Sequence, residues 1–350
     1  MNSLTESILE DARSVVREIN HDRLRGRSVL VTGASGLIGT HLMASLACLR
    51  SEADLPLRVW GVVNSEPEGY FSSIVELGGL KVIRGDMADD SFVQNLPEAD
   101  IVIHAAGYGQ PGKFLKDPVR TIKLNTSALL GLFGKVAKGG KLLFLSTSEV
   151  YAGAPHPPYR EADVGSTNTD HPRACYIEAK KCGETICNAY REIGIDAKSA
   201  RISLAYGPGT KAGDRRVINE FILRGLRGKI SLLDHGHVRR TYCYVTDTVE
   251  ILWDILLDGT DAIYNVGGSS RVTIRDLALT IGDYLKVPVV FPTDVAEGMA
   301  GAPEDVSLDM SKVEREFGKN TFTDFAEGLR KTIEWQKLYY ASATQEAGNG

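Results

Sequence analysis

The sequence predicts an α/β protein built on a doubly wound parallel sheet, with a smaller mixed α/β lobe towards the C-terminus. Short apolar runs alternate with helical segments from residue 27 to about 205, as expected for parallel strands joined by right-handed crossovers. The first run leads through a glycine-rich turn into a helix, which is typical of Rossmann-type folds. We divide the chain into an N-terminal helical extension (1–26), a Rossmann domain (27–205), a substrate lobe interleaved with the sheet (206–340) and a disordered tail (341–350).

Composition and charge exclude several classes of function. The chain has 350 residues, of which 43% are hydrophobic and 24% are charged, and its net charge is −5. These values are ordinary for a globular enzyme and argue against nucleic acid as a partner. No apolar run is long enough to span a membrane, and the polar N-terminus does not resemble a signal peptide. Five cysteines without Cys-x-x-Cys spacing predict reduced thiols, a cytoplasmic location and no metal site.

The first elements predict a phosphate-binding turn. Apolar residues at helical spacing predict an amphipathic helix over 3–20, packed on the core or on a second subunit. A strand over 28–31 is followed by Gly-x-x-Gly-x-x-Gly and a helix over 40–48. The glycines permit a tight turn and a close approach to a pyrophosphate, which then faces the helix N-terminus. The predicted cofactor contacts here are Gly33, Ser35, Gly36, Leu37 and Ile38.

The next three strands supply further predicted cofactor contacts. The second strand, 57–63, ends at Asn64, where such folds usually bind the adenosine ribose. Glu66 and Glu68 follow without an adjacent Arg, so we predict NAD rather than NADP. The third strand, 80–83, leads to Asp86 and Met87, and Asp86 either accepts from the adenine amino group or is a plain turn residue. The fourth strand, 100–107, ends in Ala105, Ala106 and Gly107, small enough for a close cofactor approach, and we interpret its His104 as a packed residue.

The fifth strand and the following helix predict the catalytic centre. A helix over 119–136 precedes the buried strand 142–145, which ends in the hydroxyls and carboxylate of Thr147, Ser148 and Glu149. The next helix begins at Ala174 and places Tyr176 and Lys180 on one face, since they are four residues apart. A protonated lysine beside a phenol lowers the phenol's pKa, so Tyr176 is predicted to act as a general base.

Beyond this helix the pattern becomes less regular. A sixth strand is predicted over 197–204, shorter strands over 229–233 and 262–266, and helices over 216–227, 245–257, 273–285 and 322–338. We expect this last third of the chain to form a substrate lobe over the carboxyl edge of the sheet.

The combined motifs resemble the extended short-chain dehydrogenase/reductase family of sugar-nucleotide epimerases, dehydratases and decarboxylases. The resemblance covers residues 27 to about 338. The local sequence is most similar to UDP-glucuronate decarboxylases in Ser-Thr-Ser-Glu-Val-Tyr (146–151) and Pro-Arg-Ala-Cys-Tyr (172–176). The other residues that carry the resemblance are Gly33, Gly36, Gly39, Asp86, Lys180, the Tyr-Gly-Pro of 206–208, and Arg240 before the Tyr-Val-Thr-Asp of 244–247.

The resemblance implies an NAD-dependent enzyme that oxidises a nucleotide sugar at C4. Tyr176, assisted by Thr147, would take the proton of the 4-hydroxyl, and Lys180 would bind the nicotinamide ribose. Glu149 matches the family's acid or base of the second step. Ser148, Arg216 and Arg240 are predicted substrate-binding residues, with Arg240 on the pyrophosphate.

Two departures from the family pattern leave the outcome of the reaction open. The decarboxylases have an Arg before a Pro in the C-terminal lobe, whereas residues 300–305 of this chain contain none. Leu204 replaces the Asn that usually precedes the Tyr-Gly-Pro segment by two residues. Decarboxylation, dehydration and epimerisation all remain possible. The alternatives are a net 4-dehydrogenase or ketoreductase and a non-catalytic NAD-binding sensor.

The resemblance also implies a homodimer that pairs through the helix of Tyr176 and the helix before it. Ile186, Ala189 and Tyr190 continue one side of the Tyr176 helix. These residues either meet a second subunit or face the sheet.

Overall fold

The computed structural model describes residues 2–293 and 305–348. Its helices are α1 (Ser3–Glu18), α2 (Leu37–Ser51), α3 (Gly69–Leu77), α4 (Asp90–Gln94), α5 (Pro111–Phe114), α6 (Pro118–Asn125), α7 (Ser127–Phe133), α8 (Ala174–Glu192), α9 (Val217–Leu226), α10 (Val245–Leu257), α11 (Ile274–Leu285), α12 (Ser311–Phe317) and α13 (Phe325–Gly348). Its strands are β1 (Ser28–Thr32), β2 (Arg58–Val63), β3 (Lys81–Arg84), β4 (Ala99–His104), β5 (Val136–Thr147), β6 (Asp196–Ile202), β7 (Leu204–Tyr206), β8 (Ile230–Ser231), β9 (Arg239–Arg240), β10 (Tyr242–Tyr244), β11 (Ile263–Val266), β12 (Val272–Thr273) and β13 (Val289–Val290).

Seven parallel strands form the central sheet, in the order β3-β2-β1-β4-β5-β6-β11. The predicted Rossmann-type sheet is therefore confirmed. Helices cover both faces, and each face buries its own apolar core. The order reverses between β1 and β4, so their carboxyl ends flank the crevice where such sheets bind ligands.

The last strand of the sheet comes from the part of the chain assigned to the substrate lobe. β11 pairs with β6 over Ile263 to Val266. Helix α10 packs against these two strands. Residues 245–266 therefore belong to the sheet layer, although they follow Tyr206 in sequence. The rest of this part of the chain contains α9, α11, α12, most of α13 and strands of three two-stranded ribbons.

The single helix predicted over 119–136 is wrong. Two helices, α6 and α7, are separated at Thr126, whose φ of −124° and ψ of −79° are not helical. α7 ends before Gly134, and Val136 already belongs to β5. The apolar residues at helical spacing give no sign of this break, because both short helices bury the same side.

The described residues nearest to both ends of the chain are helical. α1 packs against α2, α3 and α10 and inserts its apolar face into the core, so the first of its two predicted partners is the correct one. α13 continues past Ala341, where the sequence predicts a disordered tail, and ends at Gly348. Residues 341–347 lack Gly and Pro and contain three alanines, which favours continuation of the helix.

The described part of the chain contains no helix with the length and apolar character that crossing a membrane requires. All five cysteines lie in this part and have free thiols.

Candidate active site

The glycine-rich turn between β1 and α2 is close to the end of β4. Gly33 has a φ of +65°, and a Cβ there would lie 2.6 Å from the Ala105 carbonyl oxygen. A Cβ on Gly39 would lie 2.2 Å from the Gly33 carbonyl oxygen. Side chains at either position would push the turn away from the strand ends, so these two glycines are required by the close packing predicted for a dinucleotide site.

The turn leaves the N-terminus of α2 available to an anion. Gly36 is its N-cap residue and provides no side-chain cap, and it is exposed. The backbone N–H groups at Leu37 and Ile38 belong to the first turn of the helix, where intrahelical acceptors are lacking. Together with Ser35, this turn forms a cradle that fits the pyrophosphate of NAD.

The adenosine end of the site includes an arginine that is not adjacent in the sequence. Asn64 is exposed just after β2, as predicted, but an arginine is nearby in space. Arg84 lies opposite Val63 on β3 and pairs with Glu66 at 2.5 Å. Sequence adjacency does not reveal Arg84, because about twenty residues separate the end of β2 from the end of β3. Glu66 neutralises Arg84, so the pair still disfavours the extra phosphate of NADP.

Asp86 and its neighbours lie at the adenosine end of the predicted cofactor site. Asp86 accepts two hydrogen bonds from Arg120 of α6, at 2.6 and 2.7 Å, and one from the Ala88 N–H. The Met87 side chain is buried in the core, so only its backbone is available to a cofactor. Ala106 donates its N–H to the Thr32 hydroxyl at 3.2 Å, which holds the end of β4, with Ala105 and Gly107, against β1.

Tyr176, Lys180 and Thr147 meet at the carboxyl edge of the sheet, next to the glycine-rich turn. The Thr147 hydroxyl hydrogen-bonds to Tyr176. Lys180 Nζ donates to the Leu145 carbonyl oxygen at 2.5 Å and lies 5.9 Å from the centre of the Tyr176 ring. His104 is a packed residue, as predicted, because both of its ring nitrogens are hydrogen-bonded, to Thr32 and to the Leu124 carbonyl.

The predicted lowering of the Tyr176 pKa is wrong for the protein alone. Burial raises the pKa of the Tyr176 phenol, and the negative charge of Glu149 raises it further. The hydrogen bond with Thr147 and the charges of Arg173 and Arg216 lower this pKa, but they do not outweigh burial. Burial also lowers the pKa of Lys180 to about 7. The lysine is thus only partly charged at neutral pH, and desolvation outweighs the ion–phenol effect on which the prediction relied.

Glu149 lies beside the trio in an ion pair that the sequence did not predict. Arg173 Nε donates to Glu149 Oε2 at 2.9 Å, and its Nη2 donates to the other carboxylate oxygen. The Arg173 guanidinium carbon lies 5.4 Å from the centre of the Phe114 ring. Phe114 in turn stacks on Tyr176 at 4.6 Å between ring centres. The three-residue spacing of Arg173 and Tyr176 at the start of a helix is the signal that relates them.

The predicted substrate-binding residues surround the same site. Ser148 is buried in the turn after β5. Arg216 is held by Asp214, with a shortest distance of 2.7 Å, and its charge acts on Tyr176. Arg240 lies within electrostatic range of Arg173, Glu149 and Asp305. The stretch without Arg lies outside the described residues except for Asp305, which pairs with Arg271.

No cluster of three or more His, Cys, Asp and Glu side chains within residues 2–293 and 305–348 could hold a metal ion.

Comparison with known proteins gives a consistent set of relatives. The model of the NAD dependent epimerase/dehydratase family matches residues 29–267. UDP-glucuronic acid decarboxylase 6 of Arabidopsis thaliana is 31% identical over 307 residues, which cover 86% of each chain. UDP-glucuronic acid decarboxylase 1 of Danio rerio is 28% identical over 317 residues, covering 88% of this chain and 72% of the relative.

Solved structures share the fold at lower identity. An epimerase from Methanothermobacter thermautotrophicus superimposes with a TM-score of 0.78 at 20% identity and covers 97% of both chains. The dTDP-glucose 4,6-dehydratase of Streptomyces venezuelae, solved with NAD, gives a TM-score of 0.75 at 24% identity, covering 89% of this chain and 97% of that one. At these identities the likeness concerns the fold alone.

Proposed function

Because the chain belongs to the NAD dependent epimerase/dehydratase family, we propose that it oxidises a nucleotide sugar at C4 and then decarboxylates the 4-keto sugar. The chain is an NAD-dependent enzyme of this family. The substrate we infer is a nucleoside-diphosphate glucuronate, since the decarboxylases named above are similar to this chain over most of its length. The reaction returns the hydride to the product, so the enzyme acts as a lyase without net oxidation.

The observation that carries the proposal is the convergence of Thr147, Tyr176 and Lys180 beside the glycine-rich cradle. The three side chains come from β5 and α8, and they meet where the crevice of the sheet opens. A non-catalytic NAD sensor has no need of a buried phenol that is hydrogen-bonded to a threonine and faces a buried lysine. Their retention therefore supports an enzyme.

Each residue has a role that its surroundings support. Tyr176 accepts the proton of the 4-hydroxyl, and Thr147 orients the phenol through their hydrogen bond. Lys180, which lies on the same face of α8 as Tyr176, would bind a ribose hydroxyl of NAD. Bound NAD supplies the hydride acceptor at the sugar carbon. Arg216 and Arg240 provide positive charge for the diphosphate of the substrate.

Glu149 is the proposed proton-transfer group of the second step. When the bond from C5 to the carboxylate breaks, carbon dioxide leaves and the electron pair stays on C5 as the enolate of the 4-ketone. Glu149, the carboxylate beside Tyr176, would take a proton from solvent water and pass it to C5. Dehydration is the second candidate, and a specific observation favours it. Residues 300–305 lack the Arg that decarboxylases place near the sugar carboxylate, and Arg173 is already paired with Glu149. A carboxylate next to C5 could instead remove the C5 proton of a neutral hexose.

A panel of nucleotide sugars with product detection by mass spectrometry tests the proposal. UDP-glucuronate should lose carbon dioxide, whereas loss of water from a UDP-, dTDP- or GDP-hexose would support the second candidate. An unchanged mass with an altered sugar would indicate epimerisation, and loss of two hydrogens would indicate net oxidation.

The matched control is Tyr176→Phe, which keeps the aromatic stacking on Phe114 but removes the base. Losing such a base typically slows turnover by about 10²–10⁴-fold. Absence of turnover for every sugar in the panel, in protein that binds NAD, would mean that the chain is a sensor and that the proposal is wrong.

A further inference from the structure

A lysine of the substrate lobe contacts the glycine-rich turn directly. Lys211 Nζ donates to Ser35 Oγ at 3.0 Å, although 176 positions separate the two residues. Ser35 precedes the exposed Gly36 that begins α2. The ammonium group therefore lies at the same turn whose free N–H groups are offered to a pyrophosphate, but it reaches that turn from the other side of the crevice.

The loop that carries Lys211 is fixed on both sides. The Pro208 carbonyl is hydrogen-bonded to His41 Nε2 at 2.9 Å, and the Gly209 carbonyl accepts from the Tyr70 hydroxyl at 3.0 Å. The Thr210 hydroxyl is buried and donates to the Gly207 carbonyl. Further along, the Arg215 N–H donates to the Gln110 side chain, which begins α5. Lys211 thus extends from an anchored segment, which restricts the volume that its ammonium group can reach.

The charges around Lys211 sum to a net positive charge, which favours binding of an anion. Lys211 is exposed, but the protein atoms around it partly desolvate its ammonium group and lower its pKa. The charge of Lys113 on α5 lowers this pKa further, and the charge of Glu68 raises it. Two ammonium groups near one carboxylate are in excess by one positive charge. The two negative charges of a dinucleotide pyrophosphate would relieve this repulsion and replace the weak contact with the neutral Ser35 hydroxyl.

We propose that Lys211 binds the pyrophosphate of NAD from the substrate lobe, so that the cofactor is held between this lobe and the Rossmann domain. Release of NAD then requires Lys211 to withdraw. This property suits a reaction in which the hydride returns to the product and the cofactor is not exchanged. The inference rests on the NAD dependence of the family and not on which sugar is the substrate.

The test is the affinity and dissociation rate of NAD⁺ for the full chain without any sugar. Lys211→Met should raise the dissociation constant about 10- to 100-fold, the usual effect of losing a hydrogen bond to a charged group. Most of the change should appear in the dissociation rate, measured by displacement of fluorescent NADH. Added salt should narrow the difference between the two proteins, because it screens the lost attraction.

Two further variants decide the interpretation. Lys211→Arg should retain most of the affinity, and Lys229→Met, which removes an exposed lysine of the same lobe, should leave it unchanged. NAD⁺ affinity within twofold of the parent in Lys211→Met would overturn the proposal. So would a loss of UDP binding with intact NAD⁺ binding, which would assign Lys211 to the substrate. Failure of the sugar panel leaves this measurement unaffected, so the two proposals fail separately.

Discussion

Arg173 lies between the two groups that we expect to transfer protons. Its guanidinium binds Glu149 and lies over the Phe114 ring, which also stacks on the ring of Tyr176. The charge of Glu149 raises the pKa of Tyr176, and the charge of Arg173 lowers it. Arg173 therefore offsets the effect of the second-step carboxylate on the first-step base, in a site where burial already opposes formation of the phenolate.

Arg173→Met should slow hydride transfer in the first half-reaction and move its pH profile to higher pH. Without the arginine, one of the two positive charges that oppose Glu149 is lost, so the pKa of Tyr176 rises and the phenolate forms only at higher pH. The Thr147 hydrogen bond and the charge of Arg216 still lower the pKa of the phenol. At neutral pH we expect bound NADH to form about tenfold more slowly or worse in single-turnover absorbance.

Glu149→Gln provides the opposing change. It should move the same profile to lower pH, and the double variant should lie between the two singles. The Glu149→Gln protein should still form NADH but release product about 10²–10⁴-fold more slowly, since the second step loses its acid or base. If Arg173→Met lowers the rate equally at every pH, with Arg173→Lys no better, Arg173 is only a structural residue and this account fails.

At this scale, sequence reasoning predicted which side chains share a helix face but not their electrostatics. The spacing of Tyr176 and Lys180 predicts a shared helix face, and the structure places both there. Their pKa shifts depend on burial, which follows from how Phe114 and the end of β5 cover them. Arg84 was missed for a similar reason, because its proximity to Glu66 arises only when β2 and β3 pair.

At the scale of elements, a buried polar network holds the carboxyl edge of the sheet together. Arg201 on β6 donates to Glu184 on α8 at 2.8 Å and to the Tyr151 hydroxyl at 2.9 Å. Glu184 also accepts from Ser146 at the end of β5, and Tyr151 donates to Asn265 on β11 at 2.7 Å. Glu184 lies one helical turn after Lys180, so the network fixes the helix that carries Tyr176 and Lys180.

Arg201→Met should destabilise the fold by about 3–5 kcal/mol, because it leaves the Glu184 charge buried without its partner. Burial of both side chains is nearly complete, at 8% exposure for Arg201 and 4% for Glu184. The measurement is urea unfolding followed by tryptophan fluorescence. Adding Glu184→Leu to Arg201→Met should restore much of the loss, since the uncompensated charge is then gone.

Arg25→Met is the control, since it breaks the exposed ion pair with Asp22. Its cost should not exceed about 1 kcal/mol. Equal losses in Arg25→Met and Arg201→Met would contradict the importance that we assign to burial.

The elements were predicted best where strand and helix patterns are local. The first six strands and the helices α2 and α8 follow from apolar runs, glycines and spacing. The break at Thr126 and the pairing of β11 with β6 were not predicted. A break between two helices that bury the same face changes no apolar spacing, and membership of a sheet is decided by a partner strand about sixty residues away.

For the whole molecule, α1 connects the two halves of the chain. Tyr244, at the start of α10, donates to the buried Asp11 at 2.7 Å, and Trp335 of α13 donates to the Leu4 carbonyl at 3.0 Å. Ile8 lies against Gly209, beside the loop of Lys211. The N-terminal extension thus packs against the segment that carries Lys211, which we propose to contact the cofactor.

The surface formed by α6, α7 and α8 carries the strongest indication of assembly. Ile186 and Tyr190 do not form its apolar part, because they pack on the core, with Tyr190 stacked on Phe133 at 3.7 Å. The exposed apolar side chains lie instead on the neighbouring helices, and α6 packs along α8. They are Val119, Ile122 and Leu130, which follow one another at intervals of three and eight residues, with exposed fractions of 64%, 44% and 47%.

We propose that two copies of the chain pair through this surface, burying α6 and α8 of one against those of the other. Val119→Glu with Ile122→Glu should convert the dimer to a monomer at micromolar concentration, because it places charges in an apolar contact that burial stabilises. Light scattering coupled to size exclusion measures the mass. Val164→Glu is the matched control, since Val164 is 78% exposed on a different segment, and it should remain dimeric. Two outcomes would show that this surface does not pair: a parent protein that is monomeric, or a double variant that remains a dimer like the parent.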